Sequence, residues 1–146
     1  MNSSNETSGG AERYRVSSMA VPPDGSLTAD DGWIDMEVRW LVTADTVGSE
    51  QTVVGRTVLR PGSKHDIHRH PHAEEWEYVV SGSAIKHVGG DSVRLEAGDV
   101  VFVPANVFHG LENASGSEPV VTIWGYSGAA TLAAAGYELP EGDTHE

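Results

Sequence analysis

The sequence predicts an all-β protein, a β-sandwich or small barrel, from three observations. Apolar residues recur with a period of two, apolar runs are short, and the segments between them are rich in turn residues. Seventeen glycines in 146 residues exceed the usual share of roughly 7%, so turns are frequent.

The elements follow in order. Ile34, Met36, Val38, Trp40 and Val42 alternate with Asp35, Glu37 and Arg39, the pattern of a half-buried strand. Residues 51–60, rich in Val and Thr, form a second strand, and residues 75–80 a third. Residues 84–88 and 92–95 flank Gly89, Gly90 and Asp91, a hairpin signal. Residues 100–103 stop at Pro104, and residues 107–111 and 119–126 complete a set of about eight strands. Residues 129–135 form a short C-terminal helix with Gly136 as its C-cap. Three regions result: a disordered or extended head over 1–30, a core domain over 31–137 and an acidic flexible tail over 138–146. Met1 to Gly10 has almost nothing to bury.

Composition excludes several functions. Nine Lys and Arg against 22 Asp and Glu give a net charge of −13, so the positive footprint of a nucleic-acid binder is missing. No cysteine is present, which removes disulfides, thiolate metal sites and cysteine nucleophiles. No run reaches 18 consecutive apolar residues and no signal-peptide pattern opens the chain, so no membrane is expected and the cytoplasm is the default.

Histidines carry the chemistry. Four of seven, His65, His68, His70 and His72, fall within eight residues. On a strand, positions i and i+2 share a face, so His68 and His70 can aim at one point. Pro71 favours a bend there, after which the next strand can present Glu75. His109, beyond the Pro104 turn, can supply a fourth donor. Three imidazoles and a carboxylate suit a borderline divalent metal.

These residues fall into two motifs. Gly62, five residues, His68 and His70 one residue apart, four residues, Glu75, six residues and Gly82 resemble the first motif of the cupin superfamily. Gly98, five residues, Pro104, then His109, three residues and Asn113 resemble the second. Asn106 stands where the family usually has Gly, and Asn tolerates left-handed backbone better than most residues. The resemblance implies a double-stranded β-helix, the jelly-roll cupin barrel, over the core domain. It also implies one divalent metal per chain on His68, His70, Glu75 and His109. An ion with open positions beyond four protein ligands favours Fe(II), with Mn(II), Ni(II), Co(II) or Zn(II) as alternatives.

Reaction type is less determined, because one fold hosts many functions. The leading expectation is a mononuclear metal-dependent enzyme acting on a small organic chelate, with dioxygenase-like oxidoreductase chemistry. A metal-assisted lyase or isomerase, or a non-catalytic metal or small-ligand binding module, are the alternatives. Glu77 shares the inward face with Glu75, so it is the candidate catalytic base, or else a structural partner of Arg56 or Lys86. A shifted ligand set of His70, His72 and Glu77 keeps the same gap but lacks the following Gly. Trp76, Tyr78, Trp124, Tyr126, Phe102 and Phe108 are candidate pocket walls. A homodimer is expected, with the alternating first strand as an edge to cover.

Overall fold

Eight strands build the frame of the computed structural model, which describes residues 10–141. They are β1 (Trp33–Val42), β2 (Thr52–His68), β3 (Glu74–Ser81), β4 (Ser83–Val88), β5 (Asp91–Glu96), β6 (Val100–Val103), β7 (His109–Asn113) and β8 (Val120–Ser127). They form one antiparallel sheet in the order β5-β4-β7-β2-β8-β3-β6, with β1 on β2, curled into a nearly closed barrel. Eight strands were legible in the sequence, and the all-β jelly-roll expectation holds. Residues 1–9 and 142–146, which carry most of the expected disordered start and the end of the acidic tail, lie outside the described residues.

β2 is longer than the period-two pattern indicated, running through Pro61 and Gly62 to His68. It exchanges neighbours on the way. Thr52 to Leu59 pair with β8, and Lys64 to His68 pair with β7. Pro61 lies just past the last β8 pair, where its missing N–H costs no ladder bond. This exchange carries the histidine motif from one part of the barrel wall into another. The C-terminal helix shrinks to Leu132–Ala135, because Thr131 caps it by accepting from the Ala134 N–H. A second short helix, Ala44–Val47, is set by a capping box between Thr43 and Thr46 that alternation does not reveal.

The inward faces make two apolar clusters. Trp33, Val38, Val53, Trp124 and Tyr126 form one. Leu59, Val79, Ala84, Leu95, Leu111 and Val120 form the other. Met36 packs against both. Residues ahead of β1 lie along it. The Asp24 N–H donates to Val38 O, the Trp40 indole donates to the Asp24 carboxylate, and Arg39 donates to Val21 O. The chain thus occupies part of the edge that the sequence left for a second copy.

Candidate metal centre

Strand register brings the two motifs together. His68 opposes His109 across β2 and β7. Glu75 and Glu77 alternate inward on β3, facing the same interior as Val79. Asn106, at φ 66°, adopts the left-handed turn that its position requires, and its N–H donates to His70 O at 2.9 Å. That bond ties the β6–β7 turn to the second histidine. Gly82, at φ 86°, lets β3 turn into β4, where a Cβ would meet Pro119 O at 2.4 Å.

His68, His70, Glu75 and His109 are all buried, and their ligating atoms lie within 4.8 Å of one another. Each imidazole is oriented by a backbone carbonyl. His68 Nδ1 donates to Asp66 O at 2.6 Å, His70 Nδ1 to Gly136 O at 2.8 Å and His109 Nδ1 to Val107 O at 2.8 Å. A carbonyl only accepts, so each Nδ1 carries the proton and each Nε2 of a neutral ring is a bare lone pair. Nε2 of His70 and of His109 both stand 3.2 Å from Glu75 Oε1. His70 Nε2 makes no hydrogen bond. Lone pairs facing a carboxylate at that range repel unless a cation lies among them. These four side chains can therefore hold one divalent ion, with the outer bonds fixing ring orientation and tautomer.

Behind the cluster lies a buried charge network. Lys86 Nζ donates to Glu77 Oε1 at 2.6 Å and to Glu75 Oε2 at 3.3 Å. The Thr122 hydroxyl donates to Glu77 Oε2 at 2.7 Å. Burial alone raises a carboxyl, but nearby positive charge, Lys86 included, outweighs it and holds Glu75 well below its ordinary range. Burial alone lowers an ammonium, but Glu77 and Glu75 outweigh it for Lys86, whose pKa is raised. Burial, reinforced by the neighbouring histidines, holds His68 well below the usual histidine value. Burial, with Glu75 nearby, pushes the Tyr126 phenol well above its own.

The remaining candidates separate clearly. Trp124 and Tyr126 line an interior cavity of about 30 Å³, beside Trp33, Thr57, Glu77 and Lys86. Tyr78 and Phe102 instead face outward, 42% and 55% exposed. Trp76 packs over Gly125 and Phe108 lies beneath the Arg69 guanidinium. Glu77 meets Lys86, whereas Arg56 approaches Glu37 at 3.7 Å. His72 and Glu74 are exposed, so no third donor joins His70 and Glu77. His65 stacks on His68, ring centroids 3.8 Å apart, and against Trp33 at 4.0 Å. Thr57 as a cavity wall was missed, though its inward place follows from the alternation of β2.

A jelly-roll barrel with an inward cluster of three histidines and one glutamate defines the class. A family model described as the cupin domain matches residues 55–126. The chain belongs to the cupin superfamily. It is 35% identical over 75 residues to the tetracenomycin polyketide synthase protein TcmJ of Streptomyces glaucescens, 51% of this chain and 50% of that protein. It thus spans about half the length of that relative. It is 26% identical over 103 residues to the oxalate-binding protein of Thermotoga maritima, 70% of this chain and 85% of that protein. The crystal structure of a predicted oxalate decarboxylase from Thermotoga maritima superposes with a TM-score of 0.69 at 24% identity, covering 78% of this chain and 98% of that one. Among the described residues no helix is long and apolar enough to cross a membrane.

Proposed function

We propose that the chain is a mononuclear metal-dependent enzyme acting on a small oxygen-chelating substrate, with His68, His70, Glu75 and His109 as the ligands. The observation that carries this reading is the set of three Nδ1 donors, which leave imidazole lone pairs gathered about the Glu75 carboxylate. A borderline ion, Fe(II) first and Mn(II) next, would supply Lewis acidity and electron exchange with oxygen. The protein's own contribution is orientation and charge. The backbone carbonyls of Asp66, Gly136 and Val107 fix the rings, and Lys86 keeps Glu75 ionised while occupying its second oxygen. Trp33, Met36, Leu111 and Trp124 keep water scarce around the substrate.

Glu77 balances charge in this reading. Both of its oxygens already accept hydrogen bonds, which leaves it poorly placed to abstract a proton and ranks the lyase or isomerase alternative below oxygen chemistry. Non-catalytic ligand binding is the second reading, favoured by the likeness to an oxalate-binding protein across most of its length. A cytoplasmic homodimer completes the proposal, supported by the exposed apolar residues Tyr78, Val80, Val100 and Phe102 on β3 and β6. Light scattering that gives a monomer at micromolar concentration rejects the dimer.

Elemental analysis of protein purified without added metal tests the centre, and iron or manganese near one per chain is the expected result. Oxygen uptake with small chelates then supports the oxygenase. Anaerobic turnover overturns it in favour of a lyase or isomerase, and tight binding without turnover in favour of the binding module.

A further inference from the structure

Buried charge and unused hydrogen-bond donors in the cavity select among chelates, an inference that rests on the metal-centre reading above. Three charged groups line the cavity besides the imidazoles: Glu75, Glu77 and Lys86, each buried. Lys86 donates to both carboxylates, and Thr122 donates to the second oxygen of Glu77, so both Glu77 oxygens act as acceptors. With neutral imidazoles the protein contributes a net charge of about −1 here, and a divalent ion brings the total to about +1. Net charge in a low-dielectric interior is costly. One negative charge on the ligand neutralises the site, and a second overshoots.

Hydrogen bonding points the same way. The carboxylate oxygens are already engaged. Tyr126 is 2% exposed, lines the cavity, and its hydroxyl has no hydrogen-bond partner among the described residues. The Thr57 hydroxyl accepts from Trp124 Nε1 at 2.7 Å and keeps its own hydrogen for the cavity. Donors remain, so the ligand must bring lone pairs. A cavity of about 30 Å³ is also far below the roughly 150 Å³ that admits benzene.

We infer that the metal-loaded cavity selects a singly charged O,O-chelate of few carbons, an α-hydroxy or α-keto carboxylate, over a dianion. The Tyr126 hydroxyl donates to the ligand oxygen left free by chelation. Tyr126 is a specificity-determining residue in this arrangement, and Glu77 sets the charge that the ligand must match.

Calorimetric titration of the Mn(II)-loaded protein with glycolate and with oxalate tests this, each affinity being divided by that of the same anion for free Mn(II). The normalised affinity is expected to be at least about ten-fold higher for glycolate. Tyr126→Phe should keep its full Mn(II) content and bind glycolate about ten-fold more weakly, the loss expected for one hydrogen bond to a charged group. Glu77→Gln removes one negative charge, taking the metal-loaded site to about +2, and should shift the preference about ten-fold toward oxalate. Wild-type protein that favours oxalate after normalisation overturns the charge rule, whether or not either variant folds. Unchanged glycolate binding by Tyr126→Phe overturns the role of Tyr126. Wild-type protein that takes up no Mn(II) overturns the metal-centre reading itself, a separate outcome from either.

Discussion

Lys86 and Glu77 form a buried ion pair, Nζ to Oε1 at 2.6 Å, with side chains only 2% and 6% exposed. The lysine comes from β4 and the glutamate from β3, two strands joined by the single turn at Gly82 and not paired with each other. The pair therefore spans the barrel interior. Removing one partner strands a charge. Lys86→Met leaves Glu75 and Glu77 facing each other without a cation and should destabilise the metal-free protein by about 3–5 kcal/mol. The double variant Lys86→Met/Glu77→Gln should recover part of that loss. Denaturant unfolding of wild type, Lys86→Met, Glu77→Gln and the double variant measures the coupling, and a Lys86→Met protein as stable as wild type would refute the pairing.

Metal loss should separate from unfolding. His68→Ala and His109→Ala each remove one convergent Nε2 and leave the apolar clusters of the barrel in place. Both should lose metal affinity by at least the roughly 10–100-fold typical of losing a residue that merely orients a ligand. Circular dichroism should still report a folded β-protein. Glu75→Gln should cost less affinity, because an amide oxygen still coordinates. Full metal content in both histidine variants would dismiss the ligand assignment.

The cluster was legible in sequence because its geometry is local. A period of two puts His68 and His70 on one face, and the bend at Pro71 returns the chain to Glu75. What joins them to His109 is the turn at Asn106, whose left-handed backbone was anticipated. Harder to read was everything that depends on which strands neighbour which. Lys86 stands out on β4 only once Ala84 and Lys86 are known to face inward. The choice between Arg56 and Lys86 as the partner of Glu77 could not be made until β3 and β4 were placed in the barrel. Tyr78 and Phe102, read as possible walls by residue type, lie outside because alternation assigns them the face opposite Glu77 and Val103. The extension of β2 through Pro61 escaped notice because a proline and a glycine together read as a turn.

Gly55 tests how closely the cavity wall is packed. It opposes Trp124 across β2 and β8, and a Cβ there would lie 2.2 Å from the indole ring. Gly55→Ala must displace Trp124 and disturb its bond to the Thr57 hydroxyl. The expected cost is about 1–3 kcal/mol, the usual range for overpacking, with a changed tryptophan emission. An alanine variant that matches wild type in melting temperature and emission would show that the wall gives way freely.

Acid should weaken the metal-free protein in two stages, and the sign follows from the direction of each shift. Burial holds His65 and His68 well below the ordinary histidine value of 6.5. The unfolded chain therefore binds protons near pH 6.5 that the folded chain refuses. Stability is full above that value and declines as pH falls below it. Glu75 is shifted below 4.5 by nearby positive charge, Lys86 included, against the pull of burial. Its contribution is present above 4.5 and is lost as pH falls further. Bound metal should add to the stability at each pH, since it binds the folded form. Its release should begin below pH 6.5, because the buried His68 resists protonation after an exposed histidine has yielded. Denaturant midpoints of metal-free protein at pH 8, 6.5, 5.5 and 4, with metal content measured in parallel, follow both stages. A midpoint that rises between pH 7 and 5 would reverse the sign and reject buried, neutral imidazoles as the state of this cluster.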